Sequence, residues 1–382
     1  MKVNLSGVSL KGNELKYLKE ILKTGILSIG KYTDRFEKMC AEFTGRKYGI
    51  SVSSGTAGLF LLLNEKKLKE NEEVITSPFS FIATSNVIIH AGGFPRFCDI
   101  DDKTLCMSAY KLESMIEEDY KKVGGMLVNK KSKRILRGIL SVDIFGNICE
   151  YEKIEKIAKK HKLFLIEDSC EAFGTEKGKR KAGTFGESSV FAFYPNKQIT
   201  TGEGGMIVTD SKEIYLKMRA LRNQGRRDMD LWLEHSYLGY NFRINEMSSA
   251  VGVSQMERVE EILSKRQEAA LYYNKKFEKI REVRIPYSPK DQTNGWFVYV
   301  IRVEAGKRNK LMEHLIKNDI SVRPYFTPIH TQPCYRGYGY KLNDFPVTAK
   351  VSSETIAIPF HTEIKRKEQD YVIKKIREFF DR

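Results

Sequence analysis

Lys197 stands within "VFAFYPNKQITTGEGGMIVTD", the stretch from Val190 to Asp210, between an apolar run and a glycine-rich loop. Val190, Phe191 and Phe193 read as one buried strand, and Met206, Ile207 and Val208 as another. Gly202, Gly204 and Gly205 give the backbone freedom to turn back between them. An amine fixed in such a turn can act as a nucleophile toward a carbonyl; this stretch alone equally allows a surface lysine in a long hairpin. Asp168 closes "LFLIEDS", the most apolar strand-like run of the chain. A carboxylate there must be paired or hydrogen-bonded, because desolvating it alone is costly; capping the segment that follows is its simplest role. Gly55 and Thr56, in "SVSSGTAGL", fall between a strand and the first turn of a helix. Free amides, the positive helix end and the threonine hydroxyl make an anion site there, or Ser54 or Thr56 simply caps the helix.

Together the three positions match the needs of one cofactor. Pyridoxal phosphate requires a lysine to form a Schiff base with its aldehyde, an acid to keep its pyridine nitrogen protonated, and an anion site for its phosphate. The protonated ring accepts electrons from a carbanion, and the released lysine moves a proton between two carbons. A lysine used as a base needs its neutral form favoured, by burial and by neighbouring positive charge.

The elements that must position these residues alternate along the chain. "KYGISVS", "EEVITS", "FPRFCDI", "RILRGILSVDIFG" and "LFLIEDS" read as strands. Between them "SGTAGLFLLLNEKK", "SFIATSNVIIHAG", "KLESMIEEDYKK" and "YEKIEKIAKKHK" read as helices. Strands apolar on both faces and alternating with helices imply an α/β fold with a mostly parallel, seven-stranded sheet covered on each side. The Val190 and Met206 strands have no helix between them, so they are expected to pair antiparallel. From Ile244 the pattern changes to one long amphipathic helix, "INEMSSAVGVSQMERVEEILSKRQEAALYYNKKFEKI". The strand "WFVYVIRV", helix "KRNKLMEHLIKN", strand "ISVRPYF" and closing helix "EQDYVIKKIREFFDR" follow. The expected division is a large cofactor-binding domain over 1–243 and a smaller C-terminal α+β unit, led by the long helix, over 244–382.

Composition narrows the function class. Of 382 residues, 41% are hydrophobic and 30% charged, as in a globular domain and unlike a membrane span. No apolar N-terminal segment suggests a secretory signal. Cys40, Cys98, Cys106, Cys149, Cys170 and Cys334 are scattered without a CxxC pair, which fits reduced cytoplasmic thiols and neither a disulfide framework nor a metal site. The net charge of +16 raises nucleic acid as a partner, but lysine and arginine alternate with glutamate along helical stretches, the pattern of a solvated face. Neither nucleic acid nor a membrane is therefore expected as a partner, and a phosphate-bearing small substrate is.

The ordered motifs "SGTAGL", "SPFSFIATSN", "VDIFGN", "EDSCEAFG", "FYPNKQITTGEGGMIVTD", "RNQGR" and "LGYNFRINEMSSAVGVSQMERVEEI" resemble the sugar aminotransferases of the DegT/DnrJ/EryC1/StrS family over nearly the whole chain. The resemblance implies a fold type I, pyridoxal-phosphate-dependent transferase. It implies Lys197 as the Schiff-base lysine, Asp168 as partner of the pyridine nitrogen, Phe81 stacked on the ring, and Gly55 and Thr56 on the phosphate. Asn241 would reach the phosphate of the neighbouring subunit, which makes a homodimer with shared sites. His330 in "TPIHTQP" and the N-terminal "GILSIG" would touch the sugar. Glutamate would give its amine, and a nucleotide-linked keto-deoxy sugar would receive it, for cell-surface polysaccharide or glycan synthesis in the cytoplasm.

Two positions depart from the usual pattern. Ala192 stands five residues before the lysine, where serine often binds phosphate, and Glu171 stands three after the acid, where glutamine is common. Phosphate binding then leans on Thr56 and Asn241, and a carboxylate at 171 alters proton sharing near the cofactor hydroxyl. The alternatives are a regulatory or binding protein, a sugar dehydratase of the histidine-bearing kind, which Lys197 argues against, or another lysine-based enzyme of this cofactor, such as an aldolase or desulfurase.

Overall fold

The computed structural model describes residues 1–381. Its main sheet holds nine strands, seven of them side by side in the order Tyr48–Val52, Gly205–Thr209, Ser188–Ala192, Phe164–Asp168, Ile135–Val142, Glu72–Thr76 and Phe94–Phe97. The last five of that order run parallel. Gly205–Thr209 is antiparallel to both its neighbours, Ser188–Ala192 and Tyr48–Val52. The antiparallel pairing expected from the missing helix is therefore present, and it has a second partner. The remaining two strands form a hairpin, Tyr120–Val123 with Met126–Asn129, that attaches beside Ile135 and Leu136. The hairpin corrects the reading of "KLESMIEEDYKK" as helix to its end: the helix stops at Asp119. Tyr120 turns inward, buried, with its hydroxyl on Glu73.

Helices cover both faces because the strands are buried on both. One layer packs Leu59, Leu62, Val87, Ile166 and Ile207 together. The other joins Phe36, Phe79, Ile139, Phe173, Phe191 and Met206. The long helix expected from Ile244 onward is two helices, Glu246–Met256 and Val259–Phe277. The break falls where Glu257 is claimed by the first part of the chain, accepting from Tyr17 at 2.6 Å and Asn13 at 2.9 Å and pairing with Arg35. Arg258 then takes φ −121°, ψ 15° and starts the second helix on a new axis.

A second core gathers Tyr273, Phe277, Tyr299, Leu311 and Val372 around a two-stranded sheet, Tyr299–Arg302 with Thr355–Ile358. Val3 lies in this core and bridges to Ile320, so the first residues of the chain pack with the C-terminal unit. "ISVRPYF" is extended but forms only single bridges, Ile320 to Val3 and Arg323 to Ala357. Pro324 has no N–H with which to continue a ladder.

Candidate active site

The parallel strands all exit at one end of the sheet, and the register places the chemistry there. Asp168 is level with Val142 on one side and Val190 on the other. Gly205 is level with both Val52 and Ala192. The chain leaving Val52 reaches the helix Gly55–Glu65, so the first turn of that helix stands over Ala192. Ser54 caps it, accepting from the Ala57 amide at 3.1 Å. A Cβ on Gly55 would lie 2.8 Å from the Ala192 Cβ and 2.9 Å from the Cys170 Sγ. A Cβ on Gly205 would lie 2.6 Å from the Ser54 carbonyl. Both glycines are therefore needed for close approach.

These ends enclose a cavity of about 590 Å³, within the usual range for small-molecule sites. Lys197, Asp168, Glu171, Gly55, Thr56 and Phe81 all line it. Lys197 is only 13% exposed, with Nζ 3.6 Å from Glu171 Oε1 and 3.9 Å from the centre of the Phe297 ring. The expected neighbouring positive charge is not what the amine meets: its recorded partners are a carboxylate and an aromatic face. Asp168 is buried, accepting from the Thr84 hydroxyl at 2.6 Å and the Cys170 amide at 3.2 Å. Glu171 accepts from the Phe145 amide at 2.9 Å. Burial pushes its carboxyl up, against the pull of Lys197. Burial likewise raises the Cys170 thiol, with Asp168 adding to the effect, so this cysteine is not a ready nucleophile.

The donor set fits pyridoxal phosphate. Gly55 and Thr56 present the first-turn amides of an eleven-residue helix, and Thr56 is exposed. Phe81 is 60% exposed, a ring surface at the cavity with no aromatic partner recorded among the described residues. Asp168 keeps its carboxylate at the cavity wall, and Lys197 keeps its amine there. The sequence reading did not pick out Thr84, Phe297 or Asn196, all of which line the cavity. Thr84 lies inside "SPFSFIATSN", a hydroxyl in a mostly apolar helix, which was a usable signal; Phe297 read only as strand.

Three further expected site positions do not line this chain's cavity, and Asn241, expected to serve the neighbouring subunit, is not required to. Asn241 is exposed and outside the cavity lining, bridging to Asn223. The "GILSIG" segment leaves Ile26, Leu27 and Ile29 exposed and also does not line the cavity. Its Gly30 amide is held by Glu246 at 3.0 Å. His330 stands behind the wall formed by Ile329 and Gln332. It is 2% exposed, with its ring 4.7 Å from that of Phe345 and 6.2 Å from that of Phe97. Burial pushes its imidazole down. The aromatic cluster, not the cavity, holds this ring.

Comparison with known proteins gives the family. The model of the DegT/DnrJ/EryC1/StrS aminotransferase family matches residues 8–377. GDP-perosamine synthase of Vibrio cholerae is 35% identical over 360 residues, 92% of each chain. UDP-4-amino-4,6-dideoxy-N-acetyl-beta-L-altrosamine transaminase of Campylobacter jejuni is 30% identical over 374 residues, 97% of this chain and 95% of that one. Helicobacter pylori PseC, an aminotransferase involved in the biosynthesis of pseudoaminic acid, superposes with a TM-score of 0.90 over 100% of both chains at 27% identity.

Proposed function

Because this chain belongs to the DegT/DnrJ/EryC1/StrS aminotransferase family and is a pyridoxal-phosphate-dependent transaminase, we propose that it carries an amino group from L-glutamate to the ketone of a nucleotide-linked keto-deoxy sugar. The product would enter a cell-surface polysaccharide or glycan, and the reaction would run in the cytoplasm. The observation that carries the reading is the meeting of Lys197, Asp168 and the Gly55–Thr56 turn in one cavity. The names of the two relatives, a GDP-sugar synthase and a UDP-sugar transaminase, support a nucleotide-linked substrate.

When bound, pyridoxal phosphate supplies an aldehyde that takes up the amine and a ring that holds the electron pair of a carbanion. Asp168 would hold the proton at the ring nitrogen, with its carboxylate kept in place by the Thr84 hydroxyl and the Cys170 amide. The first-turn amides at Gly55 and Thr56 would bind the phosphate. Lys197 would hold the group through its aldehyde and, when free, would move a proton at Nζ between two carbons. Glu171, 3.6 Å away, shares that neighbourhood as the charge partner of the amine. Amino acid and sugar use the same cavity in turn, which gives ping-pong kinetics.

A homodimer with shared sites completes the proposal. Met229, Leu231, Trp232 and Leu238 are large apolar side chains standing exposed close to Asn241 in the chain, and such a patch is covered by a second copy more readily than left in water. The deciding experiment incubates purified protein and glutamate with a panel of GDP-, UDP- and dTDP-linked keto sugars and weighs the products. Amination of at least one, with release of 2-oxoglutarate, is expected; turnover of none would sink the sugar reading. Borohydride reduction of the loaded protein should fix the cofactor covalently to Lys197, and a peptide map placing it elsewhere would overturn the assignment.

A further inference from the structure

Arg266 is 2% exposed on the helix Val259–Phe277, and no carboxylate pairs with it among the described residues. Its Nε donates to the Trp296 carbonyl at 2.8 Å and its Nη2 to the Phe297 carbonyl at 2.8 Å. Nη1 donates to the Thr362 hydroxyl at 3.1 Å, and the Phe360 ring lies 5.3 Å from the guanidinium. Burial pulls this guanidinium down to about 10. A charge so placed costs free energy to desolvate, and only its hydrogen bonds offset that cost.

The segment it grips is tightly threaded. Trp296 sits at φ +50°, a conformation that a bulky residue keeps only when its surroundings hold it there. Asn294 accepts from its amide at 2.7 Å. At Gly295 a Cβ would fall 2.2 Å from the Phe173 carbonyl, and the Gly295 amide donates to Thr175 at 2.9 Å. The segment thus passes between the long helix and the loop that follows Glu171. On its far side the Phe297 ring faces Lys197 Nζ at 3.9 Å.

We infer that Arg266 is a positioning residue: by holding the Trp296 and Phe297 carbonyls it sets the aromatic face against which Lys197 rests, and so the place of the amine that captures the cofactor. The inference rests on the cofactor reading of the site. It links the helix Val259–Phe277, which contributes no residue to the cavity lining, to the reacting nitrogen through two hydrogen bonds and one ring.

The test mixes apoprotein with pyridoxal phosphate and follows the rate of absorbance change, with the end point mapped to Lys197 after borohydride. Phe297→Leu removes the aromatic face at similar volume and should slow capture roughly ten-fold to a hundred-fold, the range expected when a reacting group is misplaced by about an ångström. Arg266→Met should slow it comparably, and the double variant should be no slower than the slower single, because both act through one contact. Arg266→Lys, which can still hold one carbonyl, should recover part of the rate. Native capture rates in Arg266→Met, or losses that multiply in the double variant, would overturn the inference. Should Arg266→Met fail to fold, native rates in both Arg266→Lys and Phe297→Leu would overturn it instead. No capture by the native chain would overturn the cofactor reading itself, and this inference with it.

Discussion

Asp168 has two donors on its carboxylate, the Thr84 hydroxyl and the Cys170 backbone amide, and the hydroxyl can be removed without changing the acid. Thr84→Val keeps the shape of the side chain and deletes the hydroxyl that donates at 2.6 Å. A hydrogen bond to a charged group contributes about 1.5–3 kcal/mol, so kcat should fall roughly ten-fold or more while the cofactor stays bound, as steady-state kinetics and the visible spectrum would show. Asp168→Asn should cripple turnover with the cofactor still bound, because an amide cannot hold a proton on the ring nitrogen and the loss appears only along the reaction path. Near-normal turnover would make Asp168 a structural cap. Glu171 is pushed up by burial and pulled down by Lys197, so its ionisation should appear on the acid limb of the kcat/KM profile for the amino donor. Glu171→Gln should remove that inflection, and an unchanged profile would show that Glu171 plays no part in proton sharing.

At the scale of elements, the helix Gly55–Glu65 is held down by what Gly55 lacks. Gly55→Ala would press a methyl into Ala192 and Cys170, neither of which ends in a flexible chain. The first turn must lift, and affinity for the cofactor should drop on the order of ten-fold, read by equilibrium binding, from displaced phosphate-binding amides. Beneath the cavity, the strand ends bury a second pair of acids. Ser169 donates to Asp143 at 2.8 Å and lies 3.4 Å from Glu167, and both carboxyls are fully buried. Burial and the charge of Glu167 push Asp143 up to about 8. Burial raises Glu167 too, although Arg46 at 3.6 Å and three backbone amides oppose it. The folded chain therefore holds protons that the unfolded chain has released, and stability falls as pH rises from the ordinary carboxylate range toward about 8. The melting temperature should decline across that window in the native protein and decline less in Asp143→Asn. Equal slopes would mean that the pair carries no shared proton.

For the whole molecule, the proposal of shared sites makes Asn241 and Lys197 act in different chains. Asn241→Ala and Lys197→Ala should each be poorly active alone. Unfolded and refolded together, they form heterodimers in which one site carries both changes and the other neither, so part of the activity should return. Were Asn241 to act on its own chain, every site would carry one defect and mixing would restore nothing. An unrestored rate, with heterodimers confirmed by differently tagged chains, would end the shared-site account.

Lys197, Asp168 and the Gly55–Thr56 turn, which line one cavity, stood out in the sequence through local pattern: a lysine in a glycine turn, an acid closing an apolar strand, a cap before a helix. The alternation of elements likewise announced the parallel sheet, since burial on both faces leaves unbroken apolar runs. Contacts between distant segments were decided by the tertiary structure alone. Thr84 meets Asp168 across 84 positions of sequence, and Phe297 meets Lys197 only because Arg266 and Gly295 hold its loop in place. The break at Glu257 depends on Tyr17, Asn13 and Arg35, which no helical periodicity around Glu257 can reveal. His330 went into an aromatic cluster instead of the cavity because Phe97 and Phe345 converge on it from different elements. Periodicity and residue chemistry act over a few residues, whereas which loops share a cavity is settled by how whole layers pack.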